Sequence, residues 1–342
     1  MDQRDNMKHR AYIGKIGEDA APVIRAGLEF IQWEKYIDKK TRVFIKPNFT
    51  NPTPEKGVTT TPAVLKCLLE ILVPKAGRVI VGESDGGNNS FTAEESLEGH
   101  DMYRICEETG AEAVSLSKLP SAVIEDSIMG KHVSVELPRL LLEEIDCFIT
   151  VPVFKVHVMT TVTVSLKNSW GCLPDTMRGM HHQNIAYKLA LIASRLKPKI
   201  VVVDGTYSLN RHGPMFGEPV PTDMLLVADN TVAADGLGAT LMGFEPRKIK
   251  HIAVAEKAGL GSCKPEDVEL NTDLKPFRRQ FVIEKTFLDR ASAVPFTSDR
   301  LSKLIFQSPL TPLIYKVVGL LRTPKEKEVA DQMGKKNRIG PY

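Results

Sequence analysis

Short apolar runs alternate along this chain with stretches in which apolar residues recur at helical spacing. Arg42–Asn48 (RVFIKPN) and Arg78–Glu83 (RVIVGE) are apolar in the middle and end in polar residues, the pattern of a strand buried on both faces. Ala11–Lys15, Ala113–Leu116, Asp146–Val153 (DCFITVPV), Lys199–Asp204 (KIVVVD) and Met224–Ala228 read as further strands. Between them, helical periodicity covers Ala20–Tyr36, Ala63–Leu72, Glu94–Thr109, His182–Lys197, Thr231–Met242 and Pro246–Ala258. Thr61-Pro62 reads as a helix start with Thr61 as the cap, while Gly110 and Gly243 read as stops. Val133–Leu137 alternates and predicts part of a hairpin around Gly130.

Strands alternating with helices mean crossover units. The expected fold is therefore α/β, a mostly parallel sheet with helices on both faces over residues 1–262. No internal repeat interrupts it. After Gly261 the pattern weakens and prolines accumulate, so residues 263–342 are expected to be an irregular C-terminal extension. Within it Leu304, Ile305, Leu310, Leu313, Ile314, Val317, Val318, Leu320 and Leu321 are apolar. These positions predict a segment that covers the main domain or pairs with a second subunit in a homo-oligomer, a membrane surface being the alternative. The stretch Leu304–Leu321 is broken by Pro309 and Pro312 and carries Lys316, so no transmembrane segment is expected.

Composition narrows the function classes. Of 342 residues, 42% are hydrophobic and 25% charged, enough for a sizeable core. The 45 basic and 42 acidic residues leave a net charge of +3, and no basic run is interleaved with aromatics, so no nucleic-acid partner is expected. The five cysteines, Cys67, Cys106, Cys147, Cys172 and Cys263, form no C-x-x-C pair. Neither an iron–sulfur cluster, a zinc site nor a disulfide framework is expected, and no metal ligand set is assigned. A polar N-terminus is no secretory signal, and the expected compartment is the cytoplasm. Absence of G-x-x-x-x-G-K-[ST], G-x-G-x-x-G, H-E-x-x-H and G-x-S-x-G disfavours a standard P-loop kinase, a Rossmann dehydrogenase and an α/β-hydrolase.

In open α/β sheets ligands bind beyond the carboxyl ends of the strands. Four such ends here carry charged or amide groups: Lys46-Pro47-Asn48, Glu83-Ser84-Asp85, Lys155-Val156-His157 and Asp204-Gly205. Any one could be a capped turn, but their recurrence at one edge favours a site. The richest stretch, Val151–His182, adds Lys167, Asn168, His181 and His182, with Thr160, Thr161, Thr163 and Ser165 alternating with valines. A lysine among apolar neighbours has a lowered pKa and can act as base or nucleophile, and a histidine can shuttle protons near neutral pH. Lys167, His157, His181 and His182 are thus the catalytic candidates. Lys46, Asn48, Ser84, Asp85, Lys155, Asn168 and Asp204 are the candidates for holding a small anionic molecule or a cofactor, whose identity the residues leave open. Taken singly, the bland reading of each is a satisfied core histidine, a solvated lysine or a helix cap.

Lys46-Pro47-Asn48, Thr59-Thr60-Thr61-Pro62, the block from Val153 to His157, the block from Ser165 to Gly171, Val203-Asp204-Gly205 and the run from Ala228 to Asp235 together resemble the domain-of-unknown-function family numbered 362. The likeness runs from about Arg42 to Gly243. Many members of that family carry a ferredoxin-like iron–sulfur module, which this chain lacks. The same block is more distantly similar to the catalytic domain of the nickel-pincer lactate racemase family. There a histidine and a lysine ten positions apart hold the cofactor, a separation that His157 and Lys167 share, and His181 or His182 falls near the place of a third histidine. A further histidine of that family has no counterpart, since this chain offers Glu83-Ser84-Asp85, which argues against the intact nickel cofactor.

Three readings fit these residues. The first is an enzyme, an isomerase or an oxidoreductase, acting on a small anionic molecule through Lys167 and His157. The second is a redox-partnered protein whose cluster sits on another chain. The third is a non-catalytic binding module using the same lysines.

Overall fold

The apolar runs become strands of one sheet in the computed structural model, which describes residues 8–285 and scattered positions between 301 and 320. In chain order the elements are β1 (His9–Lys15), α1 (Ala21–Phe30), β2 (Arg42–Lys46), α2 (Pro62–Leu72), β3 (Arg78–Glu83), α3 (Ala93–Gly99), α4 (Met102–Thr109), β4 (Glu112–Ser115), β5 (Ser121–Ile128), β6 (Lys131–Pro138), β7 (Cys147–Thr150), β8 (Val153–His157) and β9 (Thr161–Thr163). There follow α5 (Ser165–Asn168), α6 (Ile185–Leu196), β10 (Ile200–Asn210), β11 (Glu218–Ala228), α7 (Thr231–Leu241), α8 (Lys250–Lys257) and β12 (Val268–Leu270).

The main sheet has the order β12-β1-β11-β10-β7-β2-β3-β4. From β10 to β4 every pairing is parallel, while β11 runs antiparallel to β10 and β1 antiparallel to β11. This is the mostly parallel α/β sheet that the pattern predicts. Along β10, Val201 and Val203 pack into one core with α7 and α8, and Ile200 and Val202 into another with α1 and α2. Both faces are therefore covered by helices, which is why these strands read as unbroken apolar runs. Each such side chain contributes roughly 1.5–3 kcal/mol on burial. The hairpin around Gly130 is present as β5–β6, a separate two-stranded sheet.

Several boundaries differ from expectation, each for a local reason. The helix expected over Glu94–Thr109 is two helices, because Asp101 between them takes a left-handed φ of 61°. The helix after Ala20 stops at Phe30, with Gln32 left-handed at φ 57°. Thr61 makes no side-chain cap; the α2 N-terminus is held by Asp204, whose Oδ2 accepts from Thr61 N–H at 2.7 Å. The run Asp146–Val153 divides at Val151-Pro152, where proline offers no N–H to a ladder. Its continuation, β8, leaves β7's path, pairs with the far half of β10 and folds back as β9.

The extension expected from residue 263 begins inside this core. β12 adds a parallel edge strand to β1, and Cys263, Val268, Leu274 and Phe281 are buried with the main apolar cluster. Most of the apolar positions from Leu304 to Leu321 lie outside the described residues. Among the described residues no helix is long and apolar enough to cross a membrane.

Candidate functional site

The carboxyl ends of β2 and β3 meet β8, β9 and α5 around a cavity of about 140 Å³. Lys46, Asn48, Ser84, Lys155, His157, Lys167 and Asn168 all line it, as do Thr163 and Arg178. Seven of the eleven residues singled out in the sequence thus share one space.

Its floor is a saturated polar network. Lys46 is buried and pairs with Glu83 at 2.5 Å, while Glu83 also accepts from the N–H groups of Ser84 and Phe49. Gly171 permits this approach, since a Cβ there would lie 3.0 Å from Lys46 Nζ. Lys155 is fully buried, and its ammonium donates to Asn48 Oδ1 at 2.7 Å, Val58 O at 2.8 Å and Thr50 Oγ1 at 2.9 Å. Thr50 spends its own proton on Asn48 Oδ1, so all three partners act as acceptors. Burial pulls the Lys155 pKa down to about 7, but three acceptors require three donors and hold it as an ammonium. Asn48 then donates to Asn168 Oδ1, and Asn168 donates to Thr150 Oγ1 and Lys46 O. One chain of hydrogen bonds therefore ties K-P-N, K-x-H and S-L-K-N together.

The mouth is different. Lys167 has no ion pair or hydrogen bond among the described residues; its ammonium lies 5.8 Å from the centre of the Trp170 ring. Half-buried and enclosed by protein, it is pulled down to a pKa of about 7 by desolvation and by the neighbouring Arg178. Arg178 donates to Leu173 O and Asp85 O, both backbone carbonyls, and faces no carboxylate within ion-pair distance. His157 accepts through Nδ1 from the N–H groups of Met159 at 3.1 Å and Thr160 at 3.4 Å, which leaves the ring proton on Nε2. Desolvation first, then Lys167, holds its pKa well below the ordinary value, so the ring is neutral. The hydroxyls of Ser84 and Thr163 are buried and have no partner among the described residues.

Two structural devices place the mouth residues. Asp235 on α7 is fully buried, and its Oδ1 accepts from Ser165 N–H at 2.8 Å and Leu166 N–H at 3.1 Å, capping the short helix that carries Lys167. Antiparallel pairing sets Lys155 opposite Thr163 and His157 opposite Thr161.

The remaining expected residues sit elsewhere. Asp85 uses its carboxylate on Ala93 N–H, and Asp204 uses both oxygens on Thr61 and Thr206, so neither faces the cavity. His181 pairs with Asp175 at 2.6 Å on a part-exposed turn. His182 precedes α6 rather than opening it, and its ring lies 5.5 Å from Trp170 with Nδ1 donating to Gly179 O. Its pKa is drawn down to about 3 by burial and by Lys167. Arg178, Thr163, Glu83 and Asp235 have site roles that the sequence reading did not assign.

Fold and site together define an α/β protein with a donor-lined cavity at the carboxyl edge of its parallel strands. Residues 43–240 match the family described as Domain of unknown function (DUF362), and the chain belongs to that family. A curated relative, the thylakoid-associated protein sll1697 of Synechocystis, is 23% identical over 245 residues, covering 68% of this chain and 72% of that protein. Among solved structures, the lactate racemase apoprotein of Thermoanaerobacterium thermosaccharolyticum is 14% identical with a TM-score of 0.42, covering 59% of this chain and 52% of that one. A Thermotoga maritima protein is 12% identical with a TM-score of 0.35, covering 58% and 53%. The chain thus spans about half the length of these solved structures.

A nickel-holding role for His157 does not fit its geometry. A ring that accepts two backbone N–H groups at Nδ1 carries its proton on Nε2 and has no lone pair there for a metal. The strand end Glu83-Ser84-Asp85 offers no histidine, and no group of three His, Cys, Asp or Glu side chains that could hold a metal converges among the described residues.

Proposed function

We propose that the chain is an enzyme acting on a small anionic molecule in this cavity, with Lys167 as the proton-exchanging group. The observation that carries this reading is the set of unpartnered donors. A buried polar group without a partner costs roughly 1–3 kcal/mol, and here Ser84, Thr163 and Lys167 face one space without any among the described residues. An anion supplies the missing acceptors.

The chemistry follows from the donor set. Arg178 and the two hydroxyls fix the anion. Lys167, near its midpoint at neutral pH, takes a proton from the bound molecule as a base and returns it as an ammonium. His157, neutral and donating through Nε2, stabilises an oxygen on which negative charge grows during that transfer. Lys155, Asn48 and Asn168 keep the floor rigid, so these donors need not reorganise during the reaction.

The test is binding followed by turnover. A panel of small carboxylates and phosphates should contain compounds that raise the melting temperature of the wild-type protein and not that of Lys167→Met. A bound compound should exchange a carbon-bound proton with D₂O, read by NMR. If no anion binds, or Lys167→Met binds and exchanges as well as wild type, the reading is wrong. Binding without any exchange would make the cavity a non-catalytic receptor.

A further inference from the structure

We infer that the anion this cavity selects carries a phosphoryl dianion rather than a single carboxylate; this rests on the anion-site reading above and narrows it. Charge balance is the first argument. Four cations line the cavity, and among the described residues only Lys46 has a carboxylate at ion-pair distance, Glu83. Lys155 is answered by three neutral oxygens within the floor. Lys167 and Arg178 remain at the mouth with no carboxylate at ion-pair distance among the described residues; Glu83, Asp85 and Asp175 act on Arg178 only from further away. Two cations without an ion pair facing one space favour a dianion, whereas a monocarboxylate pairs with one and leaves the other unpaired.

Donor count is the second argument. Arg178 uses two of its five N–H groups on backbone carbonyls and keeps three, Lys167 offers three while protonated, and His157, Ser84 and Thr163 add one each. Nine donors exceed the roughly four lone-pair sites of a carboxylate. The three terminal oxygens of a phosphate monoester, or the four of inorganic phosphate, offer more acceptors. Arginine beside a lysine also matches phosphate, the fork giving geometry and the ammonium a point charge. Room agrees: about 140 Å³ equals the liquid volume of four or five waters, enough for a tetrahedral head group with a short carbon chain.

The test is calorimetric titration of the full chain at pH 7 with four probes: inorganic phosphate, glycerol phosphate, lactate and succinate. Inorganic phosphate or glycerol phosphate should bind at least about 10-fold more tightly than lactate. Tighter glycerol phosphate marks a phosphorylated small molecule as the ligand, and tighter inorganic phosphate marks the free ion. Arg178→Ala should weaken phosphate roughly 10- to 100-fold, from the loss of a charge-assisted contact, while Arg178→Lys recovers part of it. Melting temperatures within a few degrees of wild type exclude misfolding as the cause. Lactate binding as tightly as phosphate overturns this inference and leaves the anion site standing, as does succinate binding most tightly. Failure of all four probes overturns the anion-site reading itself.

Discussion

Two pairs of cations share this sheet edge, and they are built in opposite ways. On the floor, Lys46 sits against Glu83 and Lys155 within reach of three oxygens, both almost wholly buried. At the mouth, Lys167 and Arg178 are less buried yet meet no carboxylate. Burial depth would rank Lys155 as the reactive lysine, since desolvation draws both Lys155 and Lys167 to about 7. Partner count reverses that ranking. A lysine with three acceptors has no lone pair to offer and no reason to give up a proton, whereas one that faces the cavity without such acceptors can do both. The floor spends its polar groups on shape, and the mouth keeps them for a ligand.

The floor should break with the largest cost. Glu83→Ala removes the partner of a buried ammonium and strands the N–H groups of Phe49 and Ser84. A loss of about 3–5 kcal/mol is expected in urea unfolding. A loss under about 1 kcal/mol would mean that Lys46 is not held as described, and the contrast between floor and mouth would collapse.

At the mouth the same kind of substitution should act in the other direction. Lys167→Met removes an unpaired cation from a place that disfavours it. The folded-state pKa lies below the ordinary lysine value, so between about pH 7 and pH 10 the unfolded chain binds a proton that the folded chain does not. This term therefore destabilises wild type fully below about pH 7 and fades as pH rises through that window. Lys167→Met should be more stable than wild type at pH 6, by up to a few kcal/mol, and the gap should close toward pH 10. A gap that is flat with pH, or a variant less stable at pH 6, would show that the ammonium has a partner after all.

Much of this contrast was within reach of the sequence, and the rest was hidden for definable reasons. Two strand ends could be located because apolar runs end sharply at Lys46 and Glu83, and topology gathers such ends at one edge, whereas the run expected to end at Asp204 continues as β10 to Asn210. Which end residues face the cavity was not legible. Asp204 and Asp85 carry the same chemistry as any site acid but are spent on backbone N–H groups, and only three-dimensional bonding distinguishes the two uses. Arg178 lies in a short turn with no periodicity around it, so nothing in Met177-Arg178-Gly179 marks it. Thr163 was noticed only as one of an alternating set. Its role depends on β9 folding back on β8, which the merged reading of Asp146–Val153 concealed. The K-x-H and S-L-K-N spacing did carry real information, because those residues bond to one another through Asn48 and Asn168.

Packing where floor meets mouth gives a smaller test. Gly171→Ala would set a Cβ 3.0 Å from Lys46 Nζ and 3.3 Å from Glu83 Oε1. The ion pair must shift by a few tenths of an ångström, at about 1–3 kcal/mol. Chemical denaturation would read this directly. An unchanged midpoint would mean that the Lys46 side chain moves aside freely and the floor is less rigid than its bonding implies.

The smallest and sharpest change is Thr163→Val. Both side chains are branched at Cβ and suit a strand, so β9 and its pairing with Lys155, Val156 and His157 should persist. What changes is one hydroxyl, buried and unpartnered among the described residues. If that hydroxyl exists for the fold, removing it can only cost stability. If it exists for a ligand, the unliganded protein carries a small penalty that valine relieves, and stability should rise by up to about 1 kcal/mol. Anion affinity should fall at the same time by roughly 2- to 10-fold, the worth of one neutral hydrogen bond. The two readouts must move in opposite directions, which neither a general loosening of the strand nor a tighter core produces. A valine variant that binds the anion as tightly as wild type would remove Thr163 from the mouth and leave recognition to Lys167, Arg178, His157 and Ser84.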